Sequence, residues 1–378
     1  MRRGLVLCVV LLCAGCGGSS SPPRHAALRI APRSALIDAP VSVTVSGLRA
    51  GDPVRVSAAA PDYRGTRYTA TVSARADGRG AARIQGGDML AELHGADGQY
   101  LPRFGTTTFN VIAEVDGHRA AAGTLTRATD GAGVHARRLT VRRDGLAGDF
   151  FMRPGDHGAP VVAIGGSNGN QPEYEAQLLA SHGHPALALD YFGGPGLPST
   201  LRRIPLEYFQ RALRWVARRT GAARVALYGV SRGGEGALIV ASRYPSLVSG
   251  VVALVPSAII GLALDDPHAP AWTLGGRPLP GGMPIAVERI RGPVLTSSGG
   301  RDKVWPSADY TRQIHARLRA HHFGYAYPDL RYPAAGHGVS SPPYLPGIPQ
   351  SESGGTPAAD AAARAALWPK VLRFFDGL

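Results

Sequence analysis

Residues 225–238 read VALYGVSRGGEGAL, and few backbone paths accommodate such a run. "RVALY" has the unbroken hydrophobicity of a strand buried on both faces, and "EGALIVASRY" reads as a helix. Between them stand Gly229, Ser231 and Gly233, in the pattern G-x-S-x-G. A strand that turns at once into a helix brings two backbones almost into contact. The positions two before and two after the tip then have no room for a side chain. The stretch therefore predicts a strand, a sharp turn with Ser231 at its tip, and a helix. In a chain with 50 glycines, the alternative is a glycine-rich turn with an incidental serine, and the surrounding sequence decides between them.

From about residue 136 to the end, strand and helix patterns alternate. "LTVRRDG" and "AGDFFMRP" predict paired strands, and "PVVAIGG" a buried strand ending in glycines. "PEYEAQLLASHG" predicts a helix, "HPALALDY" a strand and "LEYFQRALRWVARRT" a helix, before the Ser231 turn. Beyond it come "VSGVVALVP" as strand, a loop-rich excursion over 257–290, "GPVLTSSGG" as strand, "SADYTRQIHARLRAHH" as helix, "YPDLRYP" as strand and a final helix in "AADAAARAALWPKVLRFF". Such alternation implies a mostly parallel sheet with helices on both faces, whose reactive groups collect at the carboxyl ends of the strands.

A serine at such a tip is a nucleophile only if a base takes its proton and an acid orients the base. Asp302, in "TSSGGRDKVWPS", directly follows the strand "GPVLT". Asp265, Asp266, Asp309 and Asp329 follow strand ends less closely. For the base, His337 stands in the glycine-flanked loop "PAAGHGVS" after the strand "YPDLRYP". His315, His321 and His322 fall on or just after an arginine-rich helix and read as members of a solvated face. His182 and His184 bracket a helix-strand turn away from the site. Serine, acid, histidine is the chain order that an α/β-hydrolase sheet requires. The same fold needs two backbone N–H groups for the oxyanion: one from Arg232, the other from Gly166 or Ser167. The Arg232 side chain reads as exposed at a helix start and paired with Glu235, and Trp272 in the excursion as packing. The constellation calls for no metal or organic cofactor.

Upstream, residues 27–135 hold short alternating runs such as "VSVTVSG", "PVRVSAAA" and "RYTATVSARAD", separated by turn residues. This is the pattern of an all-β, immunoglobulin-like sandwich, with 136–378 as the catalytic domain. His94, His118 and His135 are isolated within or beside it and read as surface or packing residues. The formal charge of +14 raises the question of nucleic acid. Its arginines, however, are scattered singly or in pairs without a basic run, and Lys303 and Lys370 are the only lysines. Nucleic-acid binding is therefore not expected.

All three cysteines, Cys8, Cys13 and Cys16, lie in the first sixteen residues, so the folded body has no disulfide. Arg2 and Arg3 precede "GLVLCVVLLCA", an apolar run too short to span a bilayer but suited to a secretory signal. "LLCAGC" resembles a bacterial lipoprotein signal. This predicts a signal peptide over 1–16, lipidation of Cys16, a flexible tether over 17–26 and anchoring at the cell-envelope membrane. Cys13 departs from the pattern by standing where leucine is usual, and ordinary secretion is the alternative.

Taken together, "GGSNGNQPEYEAQLLASHGHPALALDYFGGPG", "YGVSRGGEGAL", "AWTLGGRPLP", "GGRDKVWPS", "AAGHGVSSPPYLP" and "GGTPAADAAARAALWPKVLRFF" resemble the acyl-CoA thioester hydrolase and bile acid-CoA:amino acid N-acyltransferase family. "APRSALIDAPVSVTVSGLRAGDPVRVSA" is similar to that family's N-terminal β-sandwich. The resemblance implies a small-molecule acyl thioester or ester substrate and an acyl-enzyme on Ser231, with His337 as base and Asp302 as acid. Family members that transfer to amino acids often carry cysteine as the nucleophile. Serine here favours hydrolysis over transfer to an amine or alcohol, and an intact serine, acid and histidine in order argues against an inactive acyl-binding lipoprotein. Family members are usually intracellular, so an exported chain implies a substrate other than cytoplasmic acyl-CoA.

Overall fold

The computed structural model describes residues 26–378 apart from 86–88, 91–92, 94–99, 101, 103, 168–171, 341 and 346–349. The predicted signal segment, Cys16, the tether up to residue 25, and His94 lie outside the described residues.

The alternating runs near the amino terminus form β1 (Ala27–Ala31), β2 (Ser34–Leu36), β3 (Ser42–Ser46), β4 (Pro53–Pro61), β5 (Arg67–Arg75), β6 (Ala81–Gln85), β7 (Thr106–Val115) and β8 (His118–Ala128). They assemble into a three-stranded sheet, β1-β3-β6, and a five-stranded sheet, β2-β8-β7-β4-β5. Every second residue points inward, so Val43 and Val45 of one sheet share a core with Val54, Val56, Val111 and Ala113 of the other. His118 and His135 are exposed.

The remainder is built on one eight-stranded sheet. Its strands are β9 (His135–Leu139), β10 (Ala147–Met152), β11 (Val161–Ile164), β12 (Ala186–Asp190), β14 (Val225–Val230), β15 (Val248–Leu254), β18 (Val294–Gly299) and β19 (Asp329–Tyr332). They lie in the order β19-β18-β15-β14-β11-β12-β10-β9, parallel from β19 to β12 and antiparallel at β10 and β9. Chain order reverses between β11 and β14, and that reversal opens a crevice at the carboxyl ends of the central strands. Between β12 and β18, the short strands β13 (Ile204–Pro205), β16 (Trp272–Leu274) and β17 (Arg277–Pro278) form a small separate sheet.

Helices cover both faces: α1 (Glu173–Ser181), α2 (Leu206–Thr220), α3 (Arg232–Arg243), α4 (Ser307–Ala320) and α5 (Pro357–Asp376). The period-two geometry of a strand sorts them. Val162, Ile164, Leu187 and Leu227 face a core closed by α2, α3 and α4. Their neighbours Val161, Ala163, Ala186 and Ala226 face a second core closed by α1 and α5. The continuous hydrophobicity that predicted these strands is the signature of a sheet buried on both sides.

One predicted strand is displaced. Of "LTVRRDG" only Leu139 pairs with β10; the partner strand runs over His135–Leu139, and Val141–Asp144 coil into a single helical turn. The Asp144 carboxylate accepts the Thr140 N–H at 2.9 Å, and Gly145, at φ 67°, closes the turn. This local side-chain bond competes with the ladder and wins. Among the described residues, no helix is long and apolar enough to cross a membrane.

Candidate active site

β14 delivers the chain to the crevice, and Ser231 stands between it and α3 with φ 56° and ψ −120°. A non-glycine residue there costs about 1–3 kcal/mol and persists only where its surroundings over-determine it. Here they do. The Ser231 N–H donates to the Leu254 carbonyl at 2.9 Å, and the Ser231 carbonyl accepts the Glu235 N–H at 3.1 Å, opening the helix. The flanking glycines are a steric requirement: a β-carbon on Gly229 would lie 2.3 Å from the Gly233 oxygen, and one on Gly233 would lie 2.2 Å from the Ile164 oxygen. Strand and helix meet at backbone contact, which fixes where the serine hydroxyl points.

β18 and β19 end beside this turn. After β18, the Asp302 carboxylate accepts the N–H groups of Val304 at 2.9 Å and Trp305 at 3.3 Å through one oxygen, which leaves the other free. That second oxygen lies 2.8 Å from His337 Nδ1, and His337 Nε2 lies 2.9 Å from Ser231 Oγ. With Nδ1–H donating to the carboxylate, Nε2 is left as the acceptor of the serine proton. Both side chains are almost wholly buried, so these hydrogen bonds lie in a low dielectric and out of competition with water. The His337 loop is held from behind, where the buried Asp360 carboxylate at the start of α5 accepts the Gly336 N–H at 2.7 Å. The Trp305 ring meets the imidazole edge-on at 5.8 Å, its indole N–H held by the Val255 carbonyl.

The other carboxylates weighed from sequence are committed elsewhere. Asp265 and Asp266 pair with Arg202, Asp309 with Arg312, and Asp329 with Arg331. Of the other histidines, His182 binds Asp38 at 2.7 Å and His184 binds Asp376 at 3.1 Å. Among the candidate oxyanion donors, Arg232 opens α3, where its N–H has no partner within the helix. Gly166 adjoins the serine: a β-carbon built on it would lie 3.4 Å from Ser231 Cβ. Ser167 is exposed.

Known proteins resemble this chain over most of its length. A model of the alpha/beta hydrolase fold matches residues 157–282, and a model described as BAAT / Acyl-CoA thioester hydrolase C terminal matches 281–377. The mouse peroxisomal succinyl-coenzyme A thioesterase is 30% identical over 401 aligned residues, covering 89% of this chain and 93% of that protein. The chain belongs to the acyl-CoA thioester hydrolase family. Mouse acyl-coenzyme A thioesterase 6 is 28% identical over 90% of this chain and 93% of its own. The human mitochondrial acyl-coenzyme A thioesterase 2 is 29% identical over 89% and 81%.

In this member of the family, two sequence expectations change. Arg232 is buried rather than exposed: its guanidinium bonds Glu235 at 2.6 Å and the Leu262 carbonyl at 2.7 Å. The excursion folds over it and covers what a helix start would otherwise leave in solvent. His315 is likewise buried rather than solvated, 2.9 Å from Thr296 Oγ1, because its position on the arginine-rich helix faces β18. Burial holds its imidazole below the usual histidine range.

Two residues near the site make contacts that the sequence reading did not foresee. Glu235 is fully buried and accepts the Trp272 indole N–H at 2.7 Å and the Gly261 N–H at 2.8 Å. Burial pushes its carboxyl up, against the Arg232 charge and these donors, which pull it down. Tyr191 follows β12 and donates its hydroxyl to the Gly165 carbonyl at 2.9 Å. Its signal was present in "ALALDYF", an aromatic at the carboxyl end of a strand, where site residues gather.

Proposed function

We propose that this thioester hydrolase works through an acyl-enzyme on Ser231. His337 Nε2 takes the hydroxyl proton as Oγ attacks the acyl carbonyl, while Asp302 holds Nδ1–H and balances the imidazolium charge. The oxyanion is received by the backbone N–H of Arg232 and that of Gly166, with Ser167 as the next donor along the loop. His337 returns its proton to the departing thiolate, and the same imidazole then activates a water that releases the carboxylic acid. The substrate class is an acyl thioester of the coenzyme A type, or an ester of similar shape.

The observation that carries this reading is the unbroken relay from the positive-φ serine through imidazole to carboxylate, with contacts of 2.9 and 2.8 Å. The test is Ser231→Ala assayed on a panel of acyl-CoA, nitrophenyl ester and lipid substrates. Replacing an essential serine of this kind costs on the order of a million-fold in turnover. A substrate whose hydrolysis survives the change is not one this site handles. We further propose that the mature chain is exported and anchored through lipid on Cys16, with an unmodified, soluble amino terminus by mass spectrometry as the contrary result.

A further inference from the structure

The oxyanion loop and the nucleophile turn come from distant segments, yet one buried network joins them. It starts at Tyr191, whose hydroxyl donates to Gly165 O at 2.9 Å and lies 3.5 Å from Gly166 O. Because a trans peptide points its C=O and N–H in opposite directions, holding the Gly165 carbonyl also aims the Gly166 N–H. The Tyr191 ring stacks on Trp272, with centroids 6.0 Å apart and planes 14° apart, and is flanked by Phe209 at 5.6 Å. Trp272 is locked through its indole N–H to Glu235, and Glu235 is bonded to Arg232, the residue after the nucleophile. Tyr191, Trp272, Glu235 and Arg232 are all buried, so no water competes for these bonds.

We infer that Tyr191 is a positioning residue of the thioester hydrolase reaction: it orients the Gly165–Gly166 peptide so that the Gly166 N–H faces the carbonyl oxygen of an acyl group on Ser231. Trp272 and Glu235 hold Tyr191 in register with the Arg232 side of the same pocket. Two glycines in succession leave this peptide free to rotate in the unfolded chain and give it no side chain of its own as an anchor. The tyrosine supplies the anchor. The inference rests on the acyl-enzyme reading above. It adds a residue that touches no substrate, in the step where charge develops on oxygen.

The experiment is Tyr191→Phe in the full chain, which keeps the ring stacked on Trp272 and removes only the hydroxyl. Turnover of an acyl-CoA substrate is expected to fall about ten- to a hundredfold, short of the hundred- to thousandfold lost when an oxyanion donor is deleted outright. The rate of inactivation by a fluorophosphonate, whose phosphoryl oxygen needs the same donors, is expected to fall by the same factor. KM and the affinity for a CoA thioether, which has no carbonyl at the reacting position, are expected to hold within about twofold, and the Tm to stay within a few degrees. Unchanged turnover in the folded variant would overturn the inference. So would parallel losses of thioether affinity and Tm, because these mark a structural role. If Tyr191→Phe does not fold, Trp272→Phe must show the same split, with kcat reduced and thioether affinity kept; equal losses in both count against the proposal. Ser231→Ala in the same assays separates the two claims: retained turnover there removes the acyl-enzyme reading itself, whatever Tyr191→Phe does.

Discussion

Glu175 shows how a single buried acid sets the pH response of stability. It lies on α1 in the core below the sheet, and burial pushes its carboxyl from 4.5 to about 7. Below 4.5 the group is protonated both folded and unfolded, so folding loses nothing to it. As pH rises toward 7, the unfolded chain releases a proton that the native state keeps, and stability falls. Above that the full cost stands, about 3 kcal/mol at roughly 1.4 kcal/mol per unit. Glu175→Gln should therefore stabilise the protein more at pH 8 than at pH 5, by about 2 kcal/mol, read from urea midpoints at both values. An equal effect at the two pH values would contradict it. Asp302→Asn tests a different property. An amide keeps the shape but can present its NH2 to Nδ1, which puts the proton on Nε2 and removes the acceptor for the serine hydroxyl. Turnover should drop on the order of ten-thousandfold, the loss known for that change in a serine protease triad, with KM little altered. Ser231, Asp302 and His337 were legible in the sequence because each must follow the carboxyl end of a strand, and chain order reveals such positions. The burial of Arg232 and His315 was not. What covers them, Gly261 and Leu262 in one case and Thr296 in the other, comes from segments that no local period connects.

At the level of elements, the Ser231 turn is over-determined by sterics rather than by any one bond. A β-carbon on Gly233 would sit 2.2 Å from Ile164 O and 2.4 Å from Gly165 O, both main-chain atoms that cannot rotate away. Gly233→Ala should therefore separate α3 from β11, lowering stability by about 3 kcal/mol or more and abolishing hydrolysis. Gly155 is the control. It has φ +84° and open space around a β-carbon, so Gly155→Ala should cost only the about 1–2 kcal/mol of left-handed backbone and leave turnover intact. Thermal melts and acyl-CoA turnover of the two variants check the contrast; comparable activity in both would mean the turn tolerates a side chain. The strands and helices of this region were readable because a doubly covered sheet demands unbroken apolar runs. The turn at Val141–Asp144 was misread because the alternation Leu139-Thr140-Val141 resembles a strand, while the deciding contact is one carboxylate reaching back to Thr140.

At the scale of the molecule, the β-sandwich is docked on the hydrolase through a buried acid. One oxygen of Asp38, in the turn after β2, accepts the Trp368 indole N–H of α5 and also bonds His182 at the end of α1, both at 2.7 Å. Arg127 of β8 closes the turn by donating to the carbonyls of Ile37 at 2.9 Å and Ala39 at 2.5 Å. His182 is partly exposed and can turn to water, whereas Trp368 is buried and loses the acceptor of its indole N–H if the carboxylate goes. An unsatisfied buried donor costs about 1–3 kcal/mol, all of it charged to the contact between the two parts rather than to either core. Asp38→Ala should therefore leave both cores folded but loosen their coupling, so that calorimetry is expected to resolve two unfolding transitions in the variant and one in the parent chain. Asp38→Asn keeps an acceptor for the indole and should retain most of the coupling. A single transition, shifted equally in both variants, would show instead that the acid supports one of the cores. Nothing in the local pattern pointed to this contact: aspartate is one of the residues that ordinarily fill turns, and only the packing of α5 and the end of α1 against the turn gives it a second role.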